Sequence, residues 1–328
     1  MKDVKTWLSV AVLLLCSLGA VASESPKGRQ VICPECRLTA MLALRSALNE
    51  ARSEYDLALA RASTFEDQEE RGELQEEAWE DYRDAYRLAK RQHTARLAIC
   101  LELAECRYDP EIDPENFLTP DEIVMQPNPY FPMIPGRLYR YRGITDEGEE
   151  ELIEVQFTRM TREILGVTCI VARDTVWVEG DVVEDTWDWY AQDREGNVWY
   201  FGELTVEFED GEILGLEGSF EAGVDGGKPG LIMEAHPMPG DAYRQEMFLG
   251  EAEDWAKVLA LGQSVTVAYG TFTDCVLTAN FNPTGEDPFL AEDKYYAPGI
   301  GFVLETKPNG ERVELIAIEE VPVEEMGE

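Results

Sequence analysis

Histidine is almost missing from this chain: His93 and His236 are the two in 328 residues. That removes His-rich metal centres and leaves little material for a Ser-His-Asp arrangement. Positive charge is scarce too, with 28 Lys and Arg against 66 Asp and Glu, a formal net charge of −38. Such a surface repels phosphate backbones and anionic headgroups, which argues against nucleic-acid partners and a peripheral membrane role. No apolar run reaches the roughly 20 residues that cross a bilayer. There is no phosphate-binding Gly-rich loop and no Gly-x-Ser-x-Gly elbow; Ser219 sits instead in Gly218-Ser219-Phe220-Glu221-Ala222-Gly223. A hydrolase built around His236 is therefore the weakest reading, and no catalytic residue is assigned.

What is present begins with an address. Lys2 and Lys5 precede the short apolar run Trp7–Leu15, and Ala20-Val21-Ala22 supplies small residues for cleavage. Residues 1–22 read as a secretory signal peptide, and the mature protein as secreted or periplasmic. Cys16 follows three leucines, so a lipid anchor there is the rival; the bulky Leu15 before it argues against one. Six further cysteines remain, an even count that suits disulfides in an oxidising compartment.

Charge divides the mature chain. Residues 23–108 carry 13 basic and 17 acidic side chains, whereas residues 109–328 carry 13 and 48. Between Cys36 and Ala62 there is no Pro or Gly, and Leu38, Met41, Leu42, Leu48, Tyr55 and Leu59 recur at helical spacing. Ser63–Asp67 reads as a stop and a new cap, followed by a second helix from about Glu69 to Cys106. Two helices with a short connection pack antiparallel. In such a hairpin, facing residues share a midpoint at the turn. Cys36 and Cys100 centre on residue 68, and Cys33 and Cys106 between 69 and 70, so both pairs staple the open end. The rival zinc site fails on the wide Cys100-x5-Cys106 spacing. A redox role for Cys33-Pro34-Glu35-Cys36 fails because no βαβ pattern surrounds it.

Prolines at 110, 114, 120, 127, 129, 132 and 135 mark residues 109–136 as a Pro-rich, extended linker. Alternating runs then follow, divided by Gly-containing turns: 137–144, 152–159, 164–178, 182–192, 198–209 and 212–221. Later runs cover 243–249, 264–268, 275–281, 294–296, 301–306 and 312–318, with one helix expected at Ala252–Leu261. The fold class is thus α+β: a disulfide-stapled α-hairpin, then a large antiparallel β-meander over 137–320, as an open sheet or half-barrel. Residues 321–328 form an acidic tail. Cys169 and Cys275, the two cysteines left over, are expected to pair.

The phrases Asp188-Trp189-Tyr190-Ala191-Gln192-Asp193, Gly196-Asn197-Val198-Trp199-Tyr200-Phe201-Gly202-Glu203 and Tyr295-Tyr296-Ala297-Pro298-Gly299-Ile300-Gly301 resemble phrases in uncharacterised secreted bacterial proteins. Asn128-Pro129-Tyr130-Phe131-Pro132 does so as well, and the resemblance spans roughly 110–318. It implies an exported β-domain and carries no activity with it. More loosely, a long meander is similar to the half-barrels of periplasmic lipoprotein carriers.

Aromatics supply the candidate site. Trp187 and Trp189 share one face of a strand, Trp199 and Phe201 one face of the next, with Tyr190 and Tyr200 on the opposite faces. These rings form either a sheet core or an apolar or sugar-stacking surface. The function expected is a non-catalytic binding protein whose apolar or glycan ligand meets Trp187, Trp189, Trp199 and Phe201. The alternative is assembly with a protein partner through the helical hairpin, around Tyr55, Tyr82 and Tyr86. Acidic turns at Asp146-Glu147-Gly148, Asp193–Asn197 and Asp225-Gly226-Gly227 lack the ligand spacing of a calcium loop, so neither metal nor cofactor is implied.

Overall fold

The computed structural model describes residues 32–145 and 148–321. The expected signal peptide, Cys16 and residues 322–328 of the acidic tail lie outside the described residues. Helix α1 (Pro34–Ala62) and helix α2 (Gln68–Glu102) form the hairpin. Pro34 starts α1, where its missing N–H costs nothing. The Asp67 carboxylate caps α2 by accepting from the Glu69 and Glu70 amides at 2.9 and 3.0 Å. Small side chains line the seam, with Ala40, Ala51 and Ala62 buried on α1 and Ala78 and Ala89 on α2. The imidazole of His93 crosses that seam to the Ala40 carbonyl at 3.1 Å.

Disulfides Cys33–Cys106 and Cys36–Cys100 close the open end, the two pairings that the midpoints of the hairpin demand. Their sulfurs are bonded to one another and are not zinc ligands. Replacing Cys36 and Cys100 together by serine is expected to cost about 2–4 kcal/mol. Thermal melting checks this, and an unchanged midpoint would show that docking on the sheet alone holds the hairpin.

Within the stretch read as a linker, a 3-10 turn (Pro114–Asn116) and a short helix α3 (Pro120–Met125) pack down on the sheet. Thr119 and Glu122 form a reciprocal cap at the start of α3. Phe117, Leu118, Ile123 and Met133 are all buried.

The strands are β1 (Arg137–Ile144), β2 (Glu150–Ile164), β3 (Val167–Val178), β4 (Asp181–Gln192), β5 (Val198–Glu209), β6 (Glu212–Gly215), β7 (Phe220–Glu221) and β8 (Lys228–Met233). They continue with β9 (Ala242–Arg244), β10 (Glu246–Met247), β11 (Trp255–Val267), β12 (Gly270–Phe281), β13 (Ala291–Ala297), β14 (Gly301–Thr306) and β15 (Arg312–Glu320). All belong to one antiparallel sheet, ordered β10-β8-β5-β4-β3-β2-β1-β15-β14-β13-β12-β11-β9, with β6 and β7 also on β5. The meander is therefore two runs of neighbours joined where β1 pairs with β15, Arg137 lying opposite Glu320.

Two expectations need correction. The run Ala252–Leu261 is not a helix: Trp255–Val267 is β11, paired with β9 on one side and β12 on the other. Its Ala and Leu content suits a helix, but pairing and burial on both sides override that weak preference. Cys169 and Cys275 are free and buried, not bonded. Cys169 belongs to one buried cluster and Cys275 to another. Strands β2, β1, β15, β14 and β13 stand between them.

The sheet is strongly curled. Tyr190 on β4 and Phe302 on β14 line one cavity, although four strands lie between theirs. Laid flat, those strands would be about 24 Å apart at roughly 4.8 Å per step. The two edge strands β9 and β10 are separated in the chain by Gln245 alone, so this residue joins opposite edges of the sheet. A Cβ on Gly230 of β8 would run into the Gln245 backbone, which is why glycine stands there. No ladder joins the two edges among the described residues, and the sheet stays open.

Helix α2 docks by its second half. The Arg96 guanidinium clasps the Glu253 carboxylate at 2.6–3.0 Å, with Arg96 7% and Glu253 1% exposed. Nearby, Arg91 donates to Asp287 at 2.6 Å and Arg244 donates to Glu105 at 2.6 Å.

Candidate ligand-binding site

Strand alternation sorts the side chains of β3, β4 and β5 onto two faces. The outer face holds Cys169, Val171, Trp189, Ala191 and Phe201, closed over by Phe117. All four rings expected to bind a ligand belong to this layer. Phe201 is fully buried, its ring 5.5 Å from Phe117. Arg162 covers Trp189 at 4.1 Å and Arg173 stands 5.3 Å from Trp187. The Trp199 indole donates to Asp193 at 2.9 Å. None of the four lines the cavity on the other face.

The Asp193 carboxylate also accepts from the Glu195 and Asn197 amides, at 2.9 Å each, and from the Asn197 side chain at 2.8 Å. With four donors it locks a turn and has little capacity left for calcium. Ser219 is likewise engaged, its hydroxyl accepting from the Thr205 amide at 2.9 Å and donating to the Thr205 carbonyl at 3.2 Å. His236 lies in a loop on a separate depression beside Asn128 and Leu261.

The inner face lines a half-open cavity of about 400 Å³. Tyr139 and Tyr141 from β1, Phe157 from β2, Tyr190 from β4, Tyr296 from β13 and Phe302 from β14 form its aromatic walls, with Phe131 at the rim. These rings brace one another: Phe131 and Tyr190 centroids lie 5.2 Å apart, Tyr141 and Phe302 5.0 Å, and Tyr190 and Tyr200 4.9 Å.

Carboxyl groups crowd one side of this space. Asp174 on β3 lies opposite Thr186 of β4, and Asp188 opposite Ala172, so the two acids are diagonal neighbours on the inner face. Asp188 is 7% exposed. The Tyr200 hydroxyl stands 2.7 Å from Asp188 Oδ1 and 2.9 Å from Glu203 Oε2. A phenol has one proton to donate, so only one of these carboxyls can accept it. The second makes its bond by holding a proton itself and donating to the phenol oxygen. Burial accordingly pushes the protonation of both Asp188 and Glu203 well above the usual carboxylate range. Burial, with Asp188 and Glu184 adding like charge, does the same to Asp174. Further along, burial raises Glu246 and Asp254, each beside other acids. Asp174 Oδ1 and Asp254 Oδ1 are buried without a hydrogen-bond partner.

The cations that line the cavity are Lys294 on β13 and Lys307 just after β14. Lys294 pairs with Glu305 at 3.4 Å and Glu292 at 3.6 Å, and Lys307 with Glu311 at 3.1 Å. The arrangement has no nucleophile paired with a base. It can hold a ligand with an apolar body and a polar end.

No protein-family model matches the chain, and no curated protein matches it. Among solved structures, the chain is distantly similar to a candidate exported protein with YMCC-like fold from Bacteroides fragilis NCTC 9343. The two are 16% identical over 58% of this chain and 99% of that one, with a TM-score of 0.35. A candidate lipoprotein from Parabacteroides distasonis ATCC 8503 is 11% identical over the same shares, with a TM-score of 0.33. At that level the likeness transfers no function. Among the described residues no helix is long and apolar enough to cross a membrane.

The cavity residues escaped sequence reasoning for a definite reason. Parity shows that Trp189 and Tyr190 face opposite ways, but not which way the sheet curls. The available signal was acid within the inner parity of two strands: Asp174 on β3, and Glu184 and Asp188 on β4, the last in step with Tyr190.

Proposed function

We propose that this is an exported binding protein of the cell envelope or extracellular space that carries its ligand inside the curled sheet. The observation that supports this reading is the cavity of about 400 Å³, walled by braced aromatic rings and edged by a few polar groups. Volumes of this order suit a small molecule or one chain of an amphiphile. The reading of residues 1–22 as a signal peptide and the two disulfides agree with an oxidising compartment. A native mass spectrum of protein secreted from an oxidising host tests it. Non-covalent extra mass that leaves on mild activation is the expected result. A bare chain that also takes up no added amphiphile would sink the proposal.

The second reading is assembly through the hairpin, favoured by the exposed Leu38, Met41, Leu42, Leu57, Trp79 and Tyr86. Sedimentation over a hundredfold concentration range decides it, since a monomer throughout removes the hairpin as a self-association element.

A further inference from the structure

Resting on the reading that the cavity holds a ligand, we propose that this ligand is an organic cation. It would be an amine or quaternary ammonium with an apolar body, its head set against Asp174 and Asp188 and its body against Tyr141, Phe157 and Tyr190.

Acidic groups inside the cavity outnumber its cations. Asp174 and Asp188 stand on neighbouring strands of one face, ~7–8 Å apart by their diagonal register. Glu184 on β4 adds to them, and Glu151 on β2 lies within electrostatic reach of both Asp174 and Lys307. The two lysines of the cavity are engaged with Glu292, Glu305 and Glu311. Among the described residues no Arg or His lines the cavity. An anionic head would therefore meet like charge wherever these acids ionise, and lysines that are already paired.

A second observation is independent of charge. Asp174 Oδ1 is buried, lines the cavity and has no hydrogen-bond partner. An orphaned buried acceptor is costly, and a ligand that supplies a donor or a positive charge at that point removes the cost. Asp188, by contrast, is already held by Tyr200, which fixes its carboxyl as one wall of the head site.

The rings complete the case. Tyr141 and Tyr190 lie beside these two carboxyls and line the same space. Aromatic faces next to carboxylates are the usual receptacle for ammonium groups, because ring quadrupole and carboxylate attract the same charge. A sugar also stacks on rings and bonds to carboxyl groups, but it brings no positive charge to favour the ionised form of these desolvated acids. A calcium or magnesium ion takes six or more oxygen ligands and gains nothing from apolar walls.

The experiment uses the full secreted chain with its disulfides intact. Octyltrimethylammonium, octyl glucoside and octyl sulfate, each below its micelle concentration, are titrated calorimetrically at pH 8 in roughly 0.3 M salt to screen surface attraction. The expected result is one-to-one binding of the ammonium at least tenfold tighter than the glucoside, with no sulfate binding. Asp174→Asn and Asp188→Asn should each lower the ammonium affinity enough to remove most of that preference. Both variants lower like-charge repulsion, so they are expected to fold. Equal affinity for ammonium and glucoside, or an undiminished preference in both variants, overturns the cationic ligand and leaves the cavity reading standing. Calcium displacing the ammonium one for one also overturns it. If no probe binds and the secreted chain carries no extra mass, the cavity reading itself fails.

Discussion

Replacing Arg96 with methionine is expected to destabilise the protein by about 3–5 kcal/mol. The guanidinium is the partner of a glutamate that is 1% exposed, and Glu253 accepts one further bond from the Gly250 amide at 2.8 Å. Methionine fills much of the same volume, so the loss measures a stranded buried charge rather than a hole. The double variant Arg96→Met/Glu253→Leu should recover most of the loss, since replacing both members of a buried pair is often close to neutral. Urea melts of the two variants check this pair of statements. A single variant within about 1 kcal/mol of the parent would mean that Glu253 finds water or takes up a proton instead.

The other large effect is on pH. Buried Asp188 and partly exposed Asp174, Glu203, Glu246 and Asp254 are all pushed above the ordinary carboxylate range by desolvation. Half-buried Glu234 rises to about 7, through burial and the neighbouring Asp241. Facing them, Glu151 and Glu184 are raised as well, and Lys294 and Lys307 supply the positive charge.

The sign follows from proton counts. Between the unfolded carboxyl range, near 4, and the raised values, the folded chain holds protons that the unfolded chain releases. Stability from these groups is therefore complete at the acid end and is lost as pH rises through the raised values. The melting temperature should fall by roughly 5–10 °C between pH 5 and pH 8. Glu203→Gln should flatten that slope and raise the melting temperature at pH 8, because it removes one of two acids sharing the Tyr200 hydroxyl. A melting temperature that climbs from pH 5 to pH 8 would contradict the network. The effect is opposite in sign to the acid unfolding of most domains, in which paired surface carboxylates dominate.

How much of this was legible in the sequence varies by element. The hairpin was legible because two independent rules agreed: helical spacing placed the turn, and the cysteines centred on it. Pairing Cys169 with Cys275 rested on elimination alone, which carries no information about faces or strand order. The strand β11 was misread because Trp255–Leu261 is rich in Ala and Leu, and its extended form depends on neighbours distant in the chain. The four salient rings, Trp187, Trp189, Trp199 and Phe201, belong to the outer layer. The cavity is made by tyrosines and acids that look ordinary in a chain with 66 acidic residues.

The pairing of β1 with β15 has a kinetic consequence. These are the first and last strands, yet they sit side by side in the middle of the sheet, with Tyr139 opposite Ile318. A chain that emerges N-terminus first, from a ribosome or from a translocation pore, can zip β1 through β8 by local hairpins. The remaining strands can do the same among themselves. Apart from β10 on β8, the two halves cannot join, and the cavity between them cannot be completed, until β15 has arrived. Closure is then a single long-range event of high contact order, slow compared with hairpin formation. A chain truncated before β15 would leave β1 as a bare edge, open to pairing with another molecule.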